Sequence, residues 1–348
     1  MQASPPPPLL AWTTERVSHC PSCLGAERRR AQTVYRNLQN LSSHFWQPEQ
    51  RGFLDALKIS LIGNTTRYPR RNLQGDTEAT CMWDCYRRAT MLEPLAAAVL
   101  QSDGTGCDGD FMETGVYRGG ISIFMAGMLA AAGELGEGRR CMWVADSFAG
   151  LPDPREYTQL WARRREHRPP LPPHAIAALA HNHSQRVREL VKRDRDGRGF
   201  SKGLLGSTLE EVQSNFRRHL GRSGSIPGHG AVGRGTVGVL DGVRFLKGYF
   251  ADTLPGPVGR LALLRIDSDM YASIHETLEA LYPRLSIGGF VVFDDWKLAQ
   301  ARAAILDYRA EHNVSSPIVS SSIYDVRDQE PFHTLDRIAF WRKSADGG

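Results

Sequence analysis

The chain has 348 residues, of which 41% are hydrophobic, 9% aromatic and 23% charged, and its formal net charge is +5. That is enough apolar material for one large domain or two modest ones, with the composition of an ordinary soluble enzyme. No run of 18 apolar residues occurs and only six cysteines are present, which excludes a helical membrane span and a disulfide scaffold.

The N-terminal MQASPPPPLLAW lacks a basic segment followed by an apolar one, so no secretory signal is expected and the cytoplasm is the expected location. Residues 1–74 read as an N-terminal extension and helical cap. PPPP (5–8) is stiff and extended, 27–46 has patchy helical periodicity, and 1–50 is a candidate arm for a homo-oligomer. HCPSC (19–23) holds a CxxC with no second pair to complete a zinc site, so two reduced thiols are expected.

Residues 75–348 form the expected main domain. From Gly109 onward, GDFMETG, CMWVADSF, VRFLKGYF, LALLRIDSD and GGFVVFDDW are apolar runs of strand length. Helical patterns at 119–132, 207–219, 272–282 and 297–312 lie between or after them. This alternation predicts an α/β fold with a largely parallel sheet covered on both faces. Insertions at about 152–206 and 221–238 interrupt it, the second rich in glycine, and both read as loops. Residues 151–220 carry 14 Lys/Arg against 8 Asp/Glu, enough to account for the whole net charge. Acids are interspersed and no aromatics interleave the basic runs, which argues for a solvated insertion and against a nucleic-acid partner. HNH (181–183) has no acidic neighbour to make it a metal pair.

METGVYRGG (112–120) closes the first strand and opens a helix. Gly115 permits a tight turn, and Gly119 and Gly120 let a ligand approach the helix N-terminus. It is not the dinucleotide GxGxxG, and the acidic Glu113 suits an amine-bearing ligand such as S-adenosylmethionine. Asp146, at the end of the second strand, is placed to hold ribose hydroxyls.

GGFVVFDDW (288–296) ends in adjacent carboxylates, Asp294 and Asp295, and the preceding strand ends in Asp267 and Asp269. A βαβ crossover brings both strand ends to one edge of the sheet, so Asp267, Asp294 and Asp295 are expected to converge. A divalent cation would offset their repulsion, and an all-oxygen donor set points to Mg²⁺. The bland alternative makes Asp294 the N-cap of the next helix.

METGVYRGGISIFMAG, VADSFAGLPDP, STLEEVQSNF, VRFLKGYFADTLP, LRIDSDMYASIHETLEALYPRLSIGGFVVFDDW and DRIAFWRK, in that order over roughly 75–342, resemble the macrocin O-methyltransferase family. These are S-adenosylmethionine- and Mg²⁺-dependent enzymes that methylate sugar hydroxyls of macrolide and aminocoumarin-type natural products. The resemblance implies a doubly wound, Rossmann-like class I methyltransferase sheet, mostly parallel with a C-terminal antiparallel strand. It places Glu113, Gly115, Arg118, Gly119 and Gly120 around the methionine part of the cofactor, and Asp146, Ser147 and Phe148 near its ribose and adenine. It puts Asp267, Asp294 and Asp295 on the metal and Gly248, Tyr249 and Phe250 near the adenine. Asp269, Tyr271 and Ser273 also match family positions and are assigned structural roles.

The implied reaction is methyl transfer to one hydroxyl of a vicinal diol on a small molecule, with Asp267 as general base and His275 and His333 in reserve. Trp296 and Tyr271 are candidates to line the acceptor site. Two other readings share the fold: a nicotinamide-dependent oxidoreductase, which would need a pyrophosphate turn, and a non-catalytic binder using the basic insertion.

Overall fold

The computed structural model describes residues 21–62, 85–166, 202–221, 240–296, 298–320 and 338–345. The N-terminal helices are α1 (Pro21–Phe45), α2 (Pro48–Ile62) and α3 (Cys85–Val99). The alternating part runs β1 (Asp110–Thr114), α4 (Gly120–Ala131), β2 (Met142–Asp146), α5 (Pro154–Glu166), α6 (Leu209–Leu220), β3 (Val243–Lys247), α7 (Phe250–Thr253), β4 (Leu261–Ile266), α8 (Tyr271–Leu281), β5 (Leu285–Phe293) and α9 (Ala299–Glu311). Two short strands close it, β6 (Val319–Ser320) and β7 (Ala339–Arg342).

Among the described residues the strands form one seven-stranded sheet of order β3-β2-β1-β4-β5-β7-β6. β1 to β5 pair in parallel, and β7 is antiparallel to both β5 and β6. The expected mostly parallel sheet with an antiparallel C-terminal end is therefore present.

Alternate residues of each strand feed two cores, as the two-residue period of a strand requires. Phe111, Met142, Val144, Leu263, Phe290 and Val292 join the core under α1–α4 and α6. Met112, Trp143, Ala145, Leu264, Val291 and Phe293 join the core under α5, α8 and α9. Strands buried on both faces are continuous apolar runs, which is why they stand out in the sequence. The helices α1 and α2 belong to the first layer: Val34, Tyr35, Leu38 and Leu41 pack against that core, and Leu54, Leu57 and Leu61 are buried in it.

Helix α5 lies inside the stretch 152–206 read above as an inserted loop. It gives Tyr157, Trp161 and Ala162 to the core, at i, i+4 and i+5, and the neighbouring arginines conceal that pattern. Residues 167–201 and 222–239 lie outside the described residues, as do HNH (181–183), Cys20 and His333. Helix α6 starts where its sequence says it should. Thr208 accepts from the Glu211 amide at 3.1 Å and the Glu211 side chain accepts from the Thr208 amide at 2.9 Å, a reciprocal capping box. No described helix is long and apolar enough to cross a membrane.

Candidate active site

The site grows from hydrogen bonds that continue the sheet past its strand ends. The Gly115 amide donates to the Ala145 carbonyl (2.9 Å), Asp267 to Thr114 (2.9 Å), Asp294 to Ile266 (3.0 Å) and Gly248 to Asp146 (3.0 Å). The tips of β3, β2, β1, β4 and β5 are thereby held in register along one edge, where ligands of open α/β sheets bind.

At β1 the chain turns sharply into α4. Gly115 has φ +77°, and a Cβ there would stand 1.6 Å from the Asp267 carbonyl oxygen, so no other residue fits. Gly119, φ +85°, is the N-cap of α4 and Gly120 its first residue. The Arg118 carbonyl accepts from Asn215 of α6 at 3.0 Å. The turn is tied to β2 by Asp146, whose two carboxylate oxygens accept from the Val116 amide (2.7 Å) and the Phe148 amide (2.8 Å). Ser147 donates to the Gly150 carbonyl at 2.8 Å, and Phe148 is buried. Tyr117, Phe148 and Asp269 all adopt left-handed backbone with φ between 50° and 56°. Such conformations in non-glycine residues concentrate where the surroundings impose them, often at functional sites. Gly115, Arg118, Gly119, Gly120, Asp146, Ser147 and Phe148 thus share one loop cluster, and Gly248 and Tyr249 flank it at the tip of β3.

Glu113 lies beneath that cluster. It is opposite Arg265 in the β1–β4 register, and the two side chains form a buried ion pair. Ser122 donates to the other carboxylate oxygen. Burial pushes the Glu113 carboxyl up to about 7, opposed by Arg265 and Ser122. With both oxygens bound by the protein, the carboxylate is turned inward, and its placement supports the turn from below.

Asp267, Asp294 and Asp295 do converge: one carboxylate oxygen from each lies within 4.8 Å of the others. Asp295 also accepts from the Asp269 amide at 2.9 Å, which draws the left-handed Asp269 into the same pocket. The N-cap of α9 is Leu298 with no side-chain cap, so Asp294 does not serve that bland role.

Two arginines that the motifs did not single out stand among these acids. Arg265 donates to Asp294 (2.5 Å) and Asp267 (3.0 Å). Arg88 of α3 pairs with the other oxygen of Asp294 at 2.5 Å and approaches Asp267 at 3.8 Å. The repulsion noted at GGFVVFDDW is therefore already offset in part by guanidinium groups. One signal was available: an arginine inside LALLRI, a strand buried on both faces, must meet carboxylates. Arg88 carries no such signal.

The offset is incomplete. Among the described residues, Glu113, Asp267, Asp269, Asp294 and Asp295 face Arg88 and Arg265. Burial opposes the charge of Arg265, but Asp294, Asp267 and Glu113 outweigh it and hold the guanidinium well above its ordinary value. Burial, then the Asp294 charge, raises Asp267 against the pull of both arginines. Burial and the neighbouring aspartates push Asp269 to about 7 and Asp295 well above the usual carboxylate range. A half-buried pocket whose donors are carboxylate oxygens, more numerous than the cations facing them, fits a hard divalent cation.

His275, the reserve base, faces away from this pocket. Its ring nitrogens address Glu311 (3.2 Å) and Glu279 (3.7 Å), and it stacks on Tyr271. The Tyr271 hydroxyl is bonded to Asp307 at 2.7 Å, and the Ser273 hydroxyl donates to the Ser268 and Met270 carbonyls just before its helix, both structural roles. Trp296 is half-buried with Arg302 over its ring. A cavity of about 500 Å³ lined by Trp161, Arg164, Glu276 and Arg284 lies in the opposite helical layer, away from the aspartates.

The profile of the macrocin-O-methyltransferase (TylF) family matches residues 70–213 and 236–326, more than half of the chain. The chain belongs to the macrocin O-methyltransferase family. A 4'-O-methyltransferase of Streptomyces olivaceus that acts on 8-demethyl-8-(2,3-dimethoxy-alpha-L-rhamnosyl)-tetracenomycin C is 40% identical over 217 residues, 61% of this chain. That match spans 62% of the relative's length, less than two thirds. Demethyldecarbamoylnovobiocin O-methyltransferase of Streptomyces niveus is 33% identical over 66% of this chain and 69% of its own. Mycinamicin III 3''-O-methyltransferase of Micromonospora griseorubida is 34% identical over 69% of this chain and 70% of its own. The solved structure of the O-methyltransferase NovP superposes with a TM-score of 0.56 at 26% identity, covering 85% of this chain and 99% of that one. The macrocin O-methyltransferase family thus accounts for the sheet, and Arg88, Arg265 and all the acids of the pocket fall within the matched segments.

Proposed function

We propose that this protein transfers the methyl group of S-adenosylmethionine to one hydroxyl of a vicinal diol on the sugar of a small-molecule natural product, with Mg²⁺ as its metal. The observation that carries the reading is the convergence of Asp267, Asp294 and Asp295 at adjacent strand tips, beside a glycine turn tied to the second strand by Asp146. The rhamnosyl group in the name of the tetracenomycin relative's acceptor supports the substrate class.

In this reading Asp267, Asp294 and Asp295 hold the ion. When bound, Mg²⁺ supplies Lewis acidity that lowers the pKa of a hydroxyl placed on it. The chain's own residues do the rest. The turn of Gly115, Gly119 and Gly120, with Arg118, admits the methionine part of the cofactor close to the backbone. Asp146 has lone pairs left for ribose hydroxyls after its two amide bonds, and Ser147 and Phe148 border the nucleoside. Asp267 is more open than its neighbour in the ion-pair network, its side chain 25% exposed against 2% for Asp294. That openness places it to take the acceptor's proton as general base. Holding hydroxyl and methyl donor in line supplies the proximity term.

The test is incubation with labelled S-adenosylmethionine, Mg²⁺ and a panel of sugar diols and their deoxy analogues, with products located by mass spectrometry. Asp294→Ala is expected to lose Mg²⁺-stimulated transfer while still binding S-adenosylhomocysteine. Full activity of that variant in excess EDTA would end the metal reading.

A further inference from the structure

Asp294 is a proposed metal ligand, yet both of its oxygens already carry cations. Oδ1 accepts from Arg265 at 2.5 Å and Oδ2 is paired with Arg88 at 2.5 Å. The two arginines differ in burial and in the element that carries them. Arg265 sits in β4, is 2% exposed and is also clamped by Glu113. Arg88 reaches in from α3, is 13% exposed, and stands farther from Asp267, at 3.8 Å. A metal ion and a guanidinium on one carboxylate oxygen are like charges at ion-pair distance, so the two compete in a pocket where water screens poorly.

We propose that Arg88 is a built-in counter-ion that holds Asp294 and Asp267 together in the metal-free protein and leaves Asp294 Oδ2 as a divalent cation binds. Arg265 stays and keeps both carboxylates aimed. Arg88 then sets the metal threshold of the enzyme: it stabilises the empty pocket and lowers the affinity for Mg²⁺, so that the ion loads only when it is abundant. This rests on the Mg²⁺ reading above.

The experiment is titration of the full chain with Mn²⁺ as a stand-in for Mg²⁺, free Mn²⁺ being read by electron paramagnetic resonance, with no methyl transfer measured. Wild type is compared with Arg88→Gln, with Arg88→Met as a second uncharged variant and Arg88→Lys as the charge-keeping control. Folding is checked by circular dichroism. Loss of one charge at this distance, discounted for partial exposure, is expected to tighten Mn²⁺ binding by about tenfold or more in the uncharged variants. Arg88→Lys is expected to stay within about threefold of wild type, because the charge and not the fork is what competes. The metal-free uncharged variants should also melt below wild type and gain more on Mn²⁺ addition, by linkage. Mn²⁺ binding to wild type with equal or weaker binding to a folded uncharged variant would overturn the role of Arg88 and leave the metal reading standing. No Mn²⁺ binding to any of the four proteins would overturn both.

Discussion

Arg265→Met removes the cation that joins the two halves of the site. Arg265 is 2% exposed and serves Glu113, which is 1% exposed, Asp294, which is 2% exposed, and the more open Asp267. Methionine keeps much of the stem and fills the space, so the effect isolates the charge. Deleting one partner of a buried ion pair costs roughly 3–5 kcal/mol, because the remaining charge is buried without compensation. At about 2 °C per kcal/mol for a domain of this size, melting should fall by roughly 6–10 °C. The loss should also depend on pH. In the wild type Glu113 is raised from 4.5 to about 7. Between those values the folded state keeps a proton that the unfolded chain has released, so stability falls as pH rises through that interval. Arg265 opposes the rise. Without it the Glu113 carboxyl moves higher still, and the variant continues to lose stability above pH 7, where the Glu113 contribution in the wild type has levelled. Thermal melts by circular dichroism in EDTA should therefore show a wider gap at pH 8.5 than at pH 6. Adding Glu113→Gln should recover part of it. A drop under about 2 °C, or one of equal size at both pH values, would refute the claim that this arginine neutralises a buried acid cluster.

Two further substitutions probe the scaffold. Gly115→Ala forces a side chain into left-handed backbone, which alone costs about 1–3 kcal/mol. It also directs the Cβ into the Asp267 carbonyl, so the urea midpoint should fall by more than strain predicts and S-adenosylhomocysteine binding should be lost. Thr208→Ala removes one half of the α6 capping box and should lower stability by about 1 kcal/mol in urea unfolding, with methyl transfer unchanged.

Much of this molecule was legible before any coordinates. The strands were visible because a sheet covered on both faces is built from nearly continuous apolar runs, and each run stops where the chain reaches the ligand-binding edge. The acids at those stops, Asp146, Asp267, Asp294 and Asp295, were visible for the same reason: a carboxylate that ends a buried strand marks the point where the chain leaves the core. Helices α4, α6, α8 and α9 followed from their spacing. Helix α5 was lost because its apolar core residues are few, Tyr157, Trp161 and Ala162, and arginines crowd the periodic signal.

What the sequence determined by itself is the order of strands and helices and which residues stand at the strand tips, since both follow from patterns a few residues long. What the tertiary structure alone decided is how the acids are balanced. Arg88 lies far from Asp267 and Asp294 along the chain, on a helix whose sequence gives no hint of a charged partner, and only the packing of α3 over the β4 and β5 tips brings its guanidinium to Asp294. Glu113 could be named as a strand-end acid, but that it turns inward to Arg265 rather than outward to a ligand depends on the β1–β4 register. Electrostatic partners are chosen by distance in space, and local sequence carries no record of that distance.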